Sequence, residues 1–115
     1  MKTINDLFVG LTPEQIFKLG EVAGAYSQRK FCREKAKQAQ TDYELAQKEY
    51  PGHMIDTVAD FHERVRRDYE LRHQEAVGRK ISAEKNFNRS RHKAREVGIQ
   101  DQVLEELVDI LSKML

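Results

Sequence analysis

Few residues in this chain have the type and spacing that catalysis requires. Ser82-Ala83-Glu84-Lys85 matches a Ser-x-x-Lys pair, in which a lysine activates a serine hydroxyl. Enzymes of that kind need companion motifs and a far longer chain. Cys32 is the single cysteine. It falls on an apolar helical seam, where a thiol acts as a small hydrophobe rather than a nucleophile. His53, His62, His73 and His92 are strung along one stretch at spacings that do not gather three metal ligands. Gly20 and Gly24 lie mid-helix and form no phosphate loop. The expectation is a non-enzymatic protein with no catalytic residue, no cofactor and no metal.

Binding chemistry is better represented. Net charge is only +1, but residues 64–95 hold eleven Lys/Arg against four Asp/Glu, and residues 96–115 hold five acids against one lysine. The chain therefore has a basic second arm and an acidic tail. Arg66, Arg67 and Arg72 sit in the middle of that arm, and Arg29, Lys30, Arg33, Lys35 and Lys37 are expected alongside them from the first helix. Phe31 lies among Arg29, Lys30 and Arg33, an aromatic flanked by arginines as at the centre of a protein interface. The run Lys85, Arg89, Arg91, Lys93 and Arg95 is a second basic surface, suited to phosphate backbones through counterion release. Glu63, Glu70, Glu75 and Glu84 interleave with these cations and could instead make the arm an ordinary solvated face.

These residues must be carried on helices. The chain has 115 residues, two prolines and no tryptophan, and is rich in Ala, Glu, Lys, Gln and Arg. Thr3 with Asp6 predicts one capped turn, ended by Gly10, and Ile4, Leu7, Phe8, Val9 and Leu11 make residues 1–11 a docking segment. Thr12-Pro13-Glu14-Gln15 is a capping box with proline at the first helical position. From there helix 1 runs over 12–50, a rod of about 55 Å. Cys32, Ala36, Ala39, Tyr43, Ala46 and Tyr50 recur at heptad steps and predict a close-packed seam. Phe17, Gly20, Gly24 and Phe31, with Ser27 between, form a second stripe that predicts a tight helix crossing.

Tyr50-Pro51-Gly52-His53 turns the chain, and helix 2 follows over 53–96. Its apolar seam of Ile55, Val58, Phe61, Val65, Tyr69, Ala76, Ala83 and Phe87 is irregular, with Arg72 and Lys80 where apolar residues are expected. A fold-back at Pro51-Gly52 sets residue i against roughly residue 103 − i. That places Val58 near Leu45 and Ala46, Phe61 beside Tyr43, and Gly78 against Gly24 and Ala25. Gly98 stops helix 2. A C-terminal helix over 99–115 then divides into an apolar side, Val103 to Leu115, and an acidic one.

The fold class expected is all-α: a long antiparallel, coiled-coil-like helical hairpin. A short N-terminal segment and the amphipathic C-terminal helix pack at its open end as a small head, leaving a thin two-helix arm. It forms a single domain over 1–115. With no secretory signal, no apolar run long enough for a bilayer and a lone cysteine, the expected compartment is the cytoplasm. An acidic C-terminal helix also disfavours anionic membranes. The function expected is binding to another protein, as an adaptor or inhibitor of the kind found among phage-type accessory regulators, with a homodimer as one form of it. Phe31, Arg29, Arg33, Arg66, Arg67 and Arg72 are the contact candidates. The rival reading is a sequence-independent nucleic-acid-binding module using the basic arm.

Overall fold

The computed structural model describes residues 3–50 and 56–114, with side chains from Asp60 onward in the latter stretch. It is an all-α hairpin: α1 (Ile4–Leu7), α2 (Pro13–Glu49), α3 (Asp56–Glu96) and α4 (Asp101–Met114). The Pro51-Gly52-His53 bend and Ile55 lie outside the described residues, as does the side chain of Val58. No described helix is long and apolar enough to cross a membrane. The chain divides into two compact units, Met1–Lys30 with Ser82–Leu115, and Phe31–Ile81. α2 and α3 contribute to both.

The first unit is fixed by its helix ends. Thr12 N–H donates to Gln15 Oε1 at 2.9 Å and Gln15 N–H to Thr12 Oγ1 at 3.2 Å, completing the capping box. The same Gln15 uses Nε2 to donate to the Val97 carbonyl at 2.9 Å, so one side chain caps the start of α2 and ties it to the end of α3. At that end Gly98 adopts φ +91°, Gly98 N–H bonds the Arg95 carbonyl and Ile99 N–H the Ala94 carbonyl. These two bonds are a Schellman cap, a conformation that excludes most side chains. Arg95 Nε then meets Asp101 Oδ1 at 2.6 Å, which holds the first turn of α4 to α3.

The core of this unit joins Leu19, Val22 and Tyr26 of α2, Phe87 and Ala94 of α3, and Leu104, Leu107 and Leu111 of α4. Phe87, Leu19, Leu107 and Val22 are essentially removed from water. Each contributes about 1.5–3 kcal/mol by burial. Thr3 N–H donates to Asp6 Oδ2, capping α1, and Gly10 at φ +80° ends the segment. Leu7 is buried, but Val9 is exposed and does not dock.

Two sequence expectations fail here. Phe17, Gly20, Gly24 and Ser27 are exposed, and a Cβ on Gly20, Gly24 or Gly78 would meet nothing within 4 Å. Among the described residues, no neighbour packs closely on any of these three glycines, so the expected tight crossing is not found. The inward face of α2 is Leu19, Val22 and Tyr26, because these residues bury far more apolar area than glycines. α4 begins at Asp101 rather than at residue 99, since Ile99 is consumed in the cap.

The second unit pairs α2 and α3 through small and polar residues. Cys32, Ala36 and Ala46 are buried and Ala39, Tyr43 and Tyr50 half-buried, as the heptad spacing predicts. On α3, His62, Arg66, Tyr69, His73, Ala76 and Lys80 are all buried or half-buried, at alternating steps of four and three. The same rhythm continues in the first unit through Ala83, Phe87, Ser90, Ala94 and Val97. The α3 seam is therefore a regular heptad. Apolar counting misses it because His62, Arg66, His73 and Lys80 occupy four of its six positions in this unit. Lys80 does lie on it; Arg72 and Phe61 do not, and both are exposed.

The register also differs from a fold-back at Pro51-Gly52. Tyr43 stacks on His73, ring centroids 5.7 Å apart and 9° from parallel, instead of meeting Phe61. Tyr50 takes the edges of Phe61 and His62 at 6.2 and 5.1 Å. The shift is about three helical turns along α3. Aromatic pairing at these positions sets the register, which turn arithmetic cannot do. Leu45 is exposed.

Candidate interaction surface

α2 positions Phe31 at the outside of the helix because its neighbours face inward. Cys32 is 5% exposed and Phe31 54%. The ring keeps company with Lys35, whose Nζ lies 5.4 Å from its centroid. Arg33 is exposed on the same turn. Phe17, at 65%, is the other exposed aromatic of α2, and the spacing Phe17, Gly20, Gly24, Ser27, Phe31 is a second heptad rhythm along this helix.

The arginines do not gather around Phe31. Arg29 turns inward and stacks on Phe87, Cζ 4.0 Å from the ring centroid, and lies 5.2 Å from the Tyr26 centroid. Arg91 approaches the same Phe87 ring at 4.8 Å. A buried ring holding two guanidiniums stabilises both, each by about 0.5–2 kcal/mol. Arg29 is thus taken up within the first unit by the Phe87 and Tyr26 rings. Arg66 is half-buried on the α3 seam, with Nε lacking a hydrogen-bond partner among the described residues.

Arg67 and Arg72 are spoken for on their own helix. Arg67 Nη2 bonds Glu63 Oε1 at 3.0 Å, and Arg72 Nη2 bonds Asp68 Oδ2 at 2.6 Å while its Cζ lies 5.2 Å from the Tyr69 ring centroid. Such exposed pairs are worth about 0.3–0.5 kcal/mol and also reduce the charge offered to a partner. In the second basic run, Arg95 is paired with Asp101 and Arg91 Nη2 donates to Asn88 Oδ1 at 2.8 Å. Lys85, Arg89 and Lys93 are exposed and make no ion pair with a described residue.

Sequence reasoning placed Phe17 on a packed stripe and passed over Leu71 and Ile81, exposed apolar residues of α3. The signal for Phe17 was present: Leu19, Val22 and Tyr26 form a larger apolar stripe on the opposite side of α2 and outcompete it. Among the described residues no three of His, Cys, Asp and Glu come together to hold a metal ion. No family model matches this chain, and no curated protein or solved structure is significantly similar to it.

Proposed function

We propose that this protein is a non-enzymatic binding module, an adaptor or inhibitor, that engages another protein through the outer side of α2 with Phe31 as its anchor. The observation that carries this reading is the exposure of Phe31 beside a buried Cys32. A large aromatic held outward on a rigid helix supplies contact area at little entropic cost, as interface anchors do. Lys35 and Arg33 provide a charged rim.

The test is nuclease-treated affinity capture with the wild-type chain and with Phe31→Ala. A retained protein partner that weakens about thirty-fold in the variant, the loss expected of a hot spot, supports the reading. Equal capture by both chains, at unchanged helicity, contradicts it. A light-scattering mass near twice 13.4 kDa that reverts in Phe31→Ala would identify the partner as a second copy.

A further inference from the structure

The cations of α3 in the first unit fall into two groups. Arg91 and Arg95 turn toward protein groups, stacking on Phe87 and pairing with Asp101. Lys85 and Arg89 lie opposite the Ala83–Phe87–Ala94 seam and Lys93 flanks it, all three exposed at intervals of four residues. The row is about 12 Å long. The nearest acid on that side, Glu96, lies beyond the end of the row, with its Oε1 3.2 Å from His92 Nε2. Ser82 and Asn86 on the same side are polar; the nearest large exposed apolar residue of α3 is Ile81, one turn before Lys85 at the end of the row, and none lies between Lys85 and Lys93.

A protein interface needs an apolar centre. A row of unpaired cations with no apolar residue at its centre matches instead a polymer whose negative charges repeat along its backbone. Lys85, Arg89 and Lys93 reach outward on long flexible stems, so each can follow a phosphate without fixed geometry. From this we infer a second binding surface: the Lys85–Arg89–Lys93 row takes the phosphates of nucleic acid, without regard to base sequence. It uses no residue of the Phe31 surface and goes beyond the protein-binding role. Three neutralised phosphates make the contact weak and strongly dependent on salt.

The experiment is fluorescence anisotropy of the full chain with a labelled DNA duplex of about 20 base pairs. Binding should fall about 40-fold between 50 and 200 mM salt, as three released counterions require. Lys85→Ala alone should reduce that factor to about 12-fold, and the triple alanine variant should lose binding. Arg67→Gln with Arg72→Gln, whose wild-type side chains are already paired, should leave the salt slope unchanged, and Phe31→Ala should bind DNA as the wild type does. No binding at 50 mM salt overturns the inference, and so does equal binding by the triple variant. Displacement of the duplex by polyglutamate as readily as by unlabelled DNA also overturns it, in favour of an acidic polypeptide.

Discussion

The two units are built from stretches of the same two helices, yet they fill their seams with different material. In the first, Leu19, Val22, Tyr26 and Phe87 interlock with three leucines of α4. In the second, Cys32, Ala36 and Ala46 are the buried residues of α2, and His62, Arg66, His73 and Lys80 hold the inward positions of α3. Both seams keep the heptad rhythm, so helix pairing is specified equally well. The volume of apolar side chain behind that rhythm is not. Spacing decides which residues face each other, and side-chain volume decides how strongly they hold. A seam of alanines and half-buried cations specifies a register at little gain in stability.

Truncations should make that contrast measurable. Phe87→Ala removes a fully buried ring and the platform beneath Arg29 and Arg91. It should cost about 3–5 kcal/mol in chemical denaturation. A loss below about 1 kcal/mol would mean that the first unit does not carry the stability assigned to it. Gly98→Ala comes next, at about 1–2 kcal/mol, because φ +91° strains an alanine. Its Cβ would also sit 3.3 Å from Gln15 Nε2, the donor to Val97. The smallest loss should be Tyr43→Ala in the second unit, about 1 kcal/mol, for a half-buried ring stacked on His73. If Tyr43→Ala proved as costly as Phe87→Ala, the distinction between the seams would collapse.

The parts of the fold that could be read from the sequence are those set by local chemistry. The Thr12–Gln15 capping box, the Gly10 and Gly98 stops and the Cys32-to-Tyr50 seam depend on residues close in the chain. Register does not. It follows from which aromatic meets which, and the pairing of Tyr43 with His73 rather than Phe61 has no local signal. The α3 seam was hidden for another reason: His62, Arg66, His73 and Lys80 hold core-facing positions that apolar counting skips. In the candidate surface, Phe31 was identifiable as an aromatic off the seam. Its supposed arginine flank was not, because Arg29 gains more by stacking on Phe87 than by facing water. The pairing of Arg67 and Arg72 with acids four residues earlier was visible in the spacing, since such pairs are neighbours on a helix.

The functional proposal depends on α2 having one packed side and one bare side. Gly20 and Gly24 report on the bare side without knowledge of any partner. If it is open, Gly20→Ala with Gly24→Ala relieves two exposed mid-helix glycines against no neighbour. The double variant should gain about 1–2 kcal/mol in thermal or chemical unfolding. A loss of stability of that size would show that another helix closes on these glycines. The outer side of α2 in the first unit would then be part of the fold, and the one-sided packing of this helix would be contradicted.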